Sequence, residues 1–492
     1  MKRETLSNAD LALLRLDSVD NLMVVTAVLI LDAPLPVEGL KAAIDRSLLC
    51  FNRFRQQVAF PPFAWQKPYW EEDPAFDLDA HVVCLHTPVR ADQQLLQELI
   101  GKLMSVGLDL HRPLWQFFLL EHFGEGSVVV ARFHHGLADG MALLRLLISL
   151  TEEIPCVPVT EQERAPGSSG ESVTTARRLA RAGIKAATDW SYAMEQTRLG
   201  QEIAVAMGKL LLTAPDPYPF FRGQLGVPKC VAWSEPIPLE DFKFVGKALG
   251  GTVNDVLINA LTGALRCYLE LRCGSVDQAK IHGFIPVNLR AKGAEAELGN
   301  KFGLVLLDLP IGACDPTERM GLLKRQMEAL KSSREALAYY GILSLMGRLP
   351  HPIQVAAVNT IDTKGTAIIT NVAGPQQQLS LSGVPINTLM AWVPQSGRVG
   401  LGFSLVSYNG VVRIGVACDK GLVPDPQKIV DCFNQEFEGL KTLAQGGAYR
   451  KNKSIQEMLA SLDQAMQSID SLYAEKGQVA PDGGGDTFPG AG

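Results

Sequence analysis

Two of the eight histidines stand side by side in VVVARFHHGLADGMALLRLLISL, which sets His134 and His135 just ahead of Asp139 and Gly140. A neutral imidazole, whose pKa lies near working pH, suits removal of a proton from a hydroxyl or thiol. The apolar run ending at Phe133 reads as a strand, Gly140 permits a tight turn, and an amphipathic helix begins near Met141. Polar side chains at such a strand-to-loop junction are held rigidly at the mouth of a cavity. Neighbours on an extended chain point to opposite sides, so one histidine should face substrate and the other the scaffold. Asp139 is placed to fix the loop by accepting backbone or arginine hydrogen bonds. A metal site is the first alternative, but the two rings diverge and no further His or Cys cluster completes a shell, so no metal is expected. The plain alternative is a pair of satisfied core histidines, and the strand, loop, Asp-Gly and helix context argues against it. No GxSxG, Walker loop, HExxH or GxGxxG occurs, so hydrolase, NTPase, zincin and dinucleotide-binding readings lack their required features.

The elements around this motif alternate. Leu22 to Asp32 and Ser127 to Phe133 are Val-, Ile- and Leu-rich and short, which predicts buried strands. Between them, the segment from Val37 sets Leu40, Ile44, Leu48 and Phe51 on one stripe, and Asp92 to Val106 does the same with Leu95, Leu96, Leu99, Ile100 and Leu103. Strands alternating with amphipathic helices predict an α/β domain over residues 1–155. Ile154 to Thr175 then has Pro, Gly, Ser and charges without an apolar period, so 156–230 is expected to be a flexible linker and helical crossover. The basic residues Arg177, Arg178, Arg181 and Lys185 make that crossover amphipathic, which suits surface packing better than lipid contact. A second α/β region spans 231–446 and holds a clear hairpin, two alternating apolar runs joined by Asn409-Gly410. Asp425-Pro426 supplies an N-cap and first-turn Pro for a helix to about Leu443. Residues 447–476 are expected to form a further amphipathic helix and 477–492 a disordered tail.

Composition narrows the function. The 492 residues suit two or three domains, and 47% hydrophobic with 20% charged residues excludes a fibrous or mainly disordered chain. Lys plus Arg number 46 against 52 Asp plus Glu, a net charge of −6, so the positive field of a nucleic-acid binder is missing. The longest apolar run, Leu22 to Leu31 with one Thr, falls short of the roughly 18 to 20 residues a spanning helix needs. Glu4, Asp10 and Asp17 interrupt the apolar stretch a signal peptide requires, which points to a cytoplasmic chain. Nine scattered cysteines without a CxxC pair indicate neither a disulfide framework nor a zinc cage, and read as buried small hydrophobes.

FHHGLADG resembles the HHxxxDG motif of the acyltransferase superfamily that includes chloramphenicol acetyltransferase and peptide-synthetase condensation domains. The wider sequence is similar to one branch, the bacterial wax ester synthase/acyl-CoA:diacylglycerol acyltransferase family. LSNAD, RFRQQV, FDLDAHV and LDLHRPLW match in the first half; TVNDVLINALTGALR, PVNLR, LGNKFG, TNVAGP and SYNG match in the second. HHxxxDG alone is moderately specific, and the ordered set is highly specific.

The resemblance implies two chloramphenicol-acetyltransferase-like domains, with mixed sheets and flanking helices, meeting around an active-site tunnel. It implies transfer of a long-chain acyl group from acyl-CoA, as co-substrate and without a cofactor, to diacylglycerol or a fatty alcohol. His135 would be the general base on the acceptor hydroxyl, His134 a supporting residue, and Asp139 and Gly140 would shape the loop. The family's Asn-Asp motif matches Asn254 and Asp255, which could hold substrate or simply cap a helix. If Asp139 is buried it needs a cation, for which Arg290 of PVNLR is the candidate, an ordinary solvated arginine being the alternative. Thr370 or Asn371 would supply the oxyanion donor, although Thr370 stands where Ser is common and Ala373 where many relatives carry a second Pro. The PLW at 113–115 reads as a packing anchor. Such substrates live in bilayers, so peripheral association with a membrane or lipid droplet is expected. Two other readings stay open. One is a lipid-binding or scaffolding protein without turnover; the other is a condensation-type enzyme using carrier thioesters, disfavoured because ALGGTV at 248–253 lacks a phosphopantetheine serine.

Overall fold

The computed structural model describes residues 4–151 and 221–446, less 64–65, 87–91, 222, 275, 277–278, 291–298 and 334, with a few positions between 201 and 216. The crossover expected within 156–230 lies almost entirely, and the segments 447–476 and 477–492 entirely, outside the described residues. The first half contributes strands β1 (Glu4–Thr5), β2 (Val24–Leu31), β3 (Gln56–Ala59), β4 (Tyr69–Glu72), β5 (Val82–Leu85), β6 (Trp115–Phe123) and β7 (Gly126–His134). The second half contributes β8 (Lys229–Trp233), β9 (Ile237–Pro238), β10 (Ile281–Asn288), β11 (Phe302–Leu309), β12 (Ala367–Ala373), β13 (Ser380–Leu381), β14 (Val384–Trp392), β15 (Leu401–Tyr408) and β16 (Val411–Asp419).

Two large mixed sheets result. One has the order β13-β14-β2-β7-β6-β5, and the other β11-β10-β12-β15-β16-β8, with β9 beside β16. Sequence order and sheet membership therefore part company at one place: β13 and β14, drawn from within 231–446, complete the first sheet. The apolar side chains of β14 (Ile386, Leu389, Met390, Trp392) are buried beside β2, and local patterning carries no sign of which sheet receives them. Trp392 of β14 meets Trp233 of β8 at 5.9 Å between ring centroids, so the two sheets share a packed joint built from the second half of the chain.

Strands β2 and β7 are buried along nearly their whole length, as expected for VVTAVLIL and GSVVVARFH at the centre of a sheet covered on both faces. Edge strand β11 alternates buried and half-buried positions, the mark of one covered face. The β15–β16 hairpin turns at Asn409 and Gly410, both with positive φ (49° and 74°), which is what Asn-Gly supplies to a two-residue turn. A helix spans 426–446 after Asp425-Pro426. Of the eight described cysteines, Cys418 and Cys432 are buried, Cys273 and Cys314 are exposed and the other four are half-buried, so the reading of the cysteines as buried small hydrophobes holds for only part of them. No described helix is long and apolar enough to cross a membrane.

Candidate active site

The two histidines diverge at the end of β7. His134 donates its backbone N–H to the Leu114 carbonyl at 2.9 Å, and its Nδ1 accepts from Gly136 N at 2.9 Å. Its proton therefore sits on Nε2, which lies 3.7 Å from Asp17 Oδ1, beyond hydrogen-bond reach. The ring is fully buried, and burial together with the neighbouring His135 pushes its pKa down to about 3. His134 is thus a neutral scaffold ring under the loop whose Met23 carbonyl accepts His135 N at 2.7 Å.

A stability consequence follows from the sign of that shift. The folded value lies below the unfolded imidazole value of about 6.5, so the contribution is complete above pH 6.5 and is lost as pH falls towards 3. The slope for one such proton is about 1.4 kcal/mol per pH unit. Thermal unfolding between pH 7 and 5 should show a falling midpoint that His134→Asn, which keeps an acceptor for Gly136 N, makes shallower. Equal slopes in the two proteins would show that His134 is not the group responsible.

His135 faces the other way, across the seam between the halves. Its Nδ1 lies 2.9 Å from Asn300 Oδ1, and its ring stands 5.3 Å from that of Phe302. The Asn300 amide nitrogen donates to Asp10 Oδ1 and to the His135 carbonyl, both at 2.8 Å. Both of those partners accept only, so the amide oxygen must be the atom facing imidazole and Nδ1 must carry the proton. The basic lone pair is left on Nε2, which meets no hydrogen-bond partner among the described residues. His135 keeps 7% of its surface exposed where His134 keeps none. Burial holds its pKa below the ordinary imidazole value, opposed by the negative charge of Asp139, the Asn300 hydrogen bond and the charge of Asp10. The ring is a neutral base at physiological pH, with its tautomer fixed from the second half of the chain.

Asp139 pins that seam. Its Oδ1 accepts from Ala142 N at 3.1 Å, capping the helix Gly140–Ser149, and its Oδ2 accepts from Lys301 N at 3.0 Å and from Arg290 Nη1. Arg290 also donates to the Gly299 carbonyl at 2.6 Å, and the side chains of both ions are almost fully buried. Ala138 and Gly299 bridge in parallel, and Gly299 has φ +102°, a conformation that favours glycine. Gly140 plays a different part from the turn expected of it. It is the first helical residue, its φ is not positive, and a Cβ there would meet nothing within 4 Å.

The remaining predicted residues serve elsewhere. Asp255 forms a capping box with Thr252, accepting from its N and Oγ1 at 2.8 Å, which is a structural duty for the helix Val253–Cys273. Asn254 accepts from Asn371 Nδ2 at 2.7 Å. Thr370 donates its hydroxyl to the Phe403 carbonyl at 3.0 Å, so that proton is already committed and cannot serve an oxyanion in this arrangement. Trp115 packs with 1% exposure and gives its indole N–H to the Phe54 carbonyl at 2.8 Å. Among the described residues no group of three or more His, Cys, Asp or Glu is arranged to hold a metal.

Asp10 and Asn300 were not singled out by sequence reasoning, although both sit in shared segments, LSNAD and LGNKFG. Asn300→Leu removes the acceptor that selects the tautomer while keeping an apolar filler of similar size. It should lower kcat by about 10- to 100-fold, a range typical for loss of an orienting partner, and leave KM for the acyl donor unchanged. A rise in KM with kcat intact would instead make Asn300 a binding residue.

The wax ester synthase/diacylglycerol acyltransferase catalytic domain matches residues 6–257, more than half of the chain. The C-terminal domain of the same family matches residues 298–441. The chain belongs to the wax ester synthase/diacylglycerol acyltransferase family. It is 24% identical over 439 residues to a putative diacylglycerol O-acyltransferase of Mycobacterium bovis, covering 85% of this chain and 92% of that one. A second putative diacylglycerol O-acyltransferase, from Mycobacterium tuberculosis, is 25% identical over 464 residues and covers 89% and 90%. The solved wax ester synthase/diacylglycerol acyltransferase of Marinobacter aquaeolei VT8 superposes with a TM-score of 0.62 at 21% identity, over 90% of this chain and 100% of that one. The first condensation domain of the calcium-dependent antibiotic synthetase gives 0.58 at 16%, over 90% and 96%. The fold is thus the two-lobed one common to this family and to condensation domains, and the protein is an acyltransferase. In this wax ester synthase/diacylglycerol acyltransferase family member, the catalytic match supplies His135 and Asp10 and the C-terminal match supplies Asn300.

Proposed function

We propose that this acyltransferase moves a long-chain acyl group from acyl-CoA to the hydroxyl of diacylglycerol or a fatty alcohol, giving triacylglycerol or wax ester. One observation carries the reading: His135 is a neutral imidazole whose Nδ1 proton is tied to Asn300, leaving Nε2 as its basic atom. Nε2 takes the proton of the acceptor hydroxyl as its oxygen attacks the thioester carbonyl. The tetrahedral intermediate collapses, the carbon–sulfur bond breaks, and the leaving thiolate recovers the proton from imidazolium as free CoA. The base is regenerated, with no covalent enzyme intermediate and no cofactor. Holding donor and acceptor on one ring converts an encounter of two solutes into a step within one complex. Asn371 keeps a second amide hydrogen beyond the one given to Asn254 and is the better oxyanion candidate of the original pair.

Both acceptors partition into lipid, so the enzyme is proposed to work at a membrane or lipid-droplet surface without spanning it. The test is to give purified protein palmitoyl-CoA with hexadecanol or dioleoylglycerol and follow thiol release and ester formation together. One ester per free thiol supports the reading. Ligand binding without ester would favour a non-catalytic lipid-binding protein.

A further inference from the structure

We propose that a lipid surface docks on an apolar rim formed by the loop at 60–63 and by the turn between helices Glu335–Met346 and His351–Asp362. The inference deepens the reading of a lipid-dissolved acceptor and rests on it. Phe60 and Phe63 are 53% and 56% exposed on the loop, and Leu345 and Ile353, on the helices that flank the turn, are each 53% exposed. Single exposed hydrophobes are ordinary. These four lie in two segments far apart in sequence whose neighbours Lys67 and Gly347 both meet Asn8, and apolar side chains brought to one region in this way suit an interaction surface.

The convergence is concrete. Lys67, just beyond the loop, donates from Nζ to Asn8 Oδ1 at 2.8 Å. On the other side, a Cβ on Gly347 would collide with the Asn8 carbonyl oxygen, so the turn lies flush against Asn8 and only glycine fits. Arg15 Nη1 donates to the Leu349 carbonyl at 3.1 Å and Gln354 Nε2 to that of Ala12 at 2.6 Å, which bind the turn to the helix Asn8–Leu16. That helix carries Asp10, the anchor of the Asn300–His135 chain. The rim therefore sits on the element that forms one wall of the reaction site.

Charge identifies the occupant. The whole chain is acidic at −6, yet residues 51–70 and 336–361 contain no Asp or Glu. Lys67 and Arg348 are exposed beside the apolar side chains, and neither forms an ion pair among the described residues. Aromatic and aliphatic side chains flanked by uncompensated cations suit a lipid interface with anionic headgroups, where each cation adds about 1 kcal/mol. An acidic protein partner would ask for more cations and fewer aliphatic side chains.

The test separates docking from chemistry. Flotation with phosphatidylglycerol/phosphatidylcholine vesicles reads docking, and octanoyl-CoA with dissolved 1-octanol reads turnover without a surface. The combined Phe60→Ser, Phe63→Ser, Leu345→Ser and Ile353→Ser variant should lose at least about 30-fold in vesicle affinity and keep turnover of the dissolved pair. Arg348→Glu should lose roughly tenfold on vesicles containing phosphatidylglycerol and nothing on phosphatidylcholine alone. Wild-type protein that stays off the vesicles, or variants that float as wild type does, overturns the proposal. Should the fourfold variant fail to fold, Arg348→Glu and the pair Phe60→Ser, Phe63→Ser decide in its place, with unchanged flotation of both counting against docking. Intact flotation without turnover of the dissolved substrates would instead remove the acyltransfer reading and leave the docking surface standing.

Discussion

His135→Ala is expected to lower kcat/KM for ester formation by about 1000-fold, the middle of the range for loss of a positioned general base. The substitution removes Nε2, the atom proposed to take the acceptor proton, and frees Asn300 of its imidazole partner. His134 cannot take over, because its Nδ1 is occupied by Gly136 N and its ring is turned into the scaffold. The residual rate should come from donor and acceptor held together, so KM should move little. Steady-state assays with palmitoyl-CoA and hexadecanol measure the effect. A loss of less than tenfold would remove His135 from the chemistry.

The second large effect is on stability. Arg290→Met leaves Asp139 as a buried carboxylate without its cation, and breaking a buried pair from one side costs about 3 to 5 kcal/mol. The lower end is expected here, since Ala142 N and Lys301 N still donate to Asp139. Adding Asp139→Asn should restore most of the loss, because the amide keeps the helix cap and the unpaired charge is gone. Thermal unfolding of wild type, single and double variants reads this directly. If the double variant is less stable than Arg290→Met, the penalty is not one of uncompensated charge.

Much of this arrangement is legible in the sequence because it is local. The continuous apolar runs of β2 and β7, the Asn-Gly turn at 409–410 and the divergence of adjacent residues on an extended strand each follow from a few neighbours. What is not legible is produced by the seam. Asp10, Asn300 and His135 are brought together from three distant segments, and nothing in the spacing of LSNAD or LGNKFG shows that one carboxylate and one amide choose a tautomer. The placement of β14 beside β2 is unreadable for the same reason, since an apolar strand buried on both faces fits the centre of either sheet. Asp255 shows the opposite case. A polar residue in a matched motif invites a substrate role, while the Thr252–Asp255 capping box was available from local spacing alone. The Asp-Gly context of Gly140 suggests a turn, whereas its backbone is that of the first helical residue.

The pH dependence of kcat/KM tests the central claim most directly, measured where thermal unfolding shows the protein to be folded. Burial of the His135 ring predicts one acid limb with its midpoint below about 6.5, a rate independent of pH above it, and no such limb in the residual activity of His135→Ala. A midpoint above 6.5, or the same limb surviving in His135→Ala, would mean that some other group takes the acceptor proton.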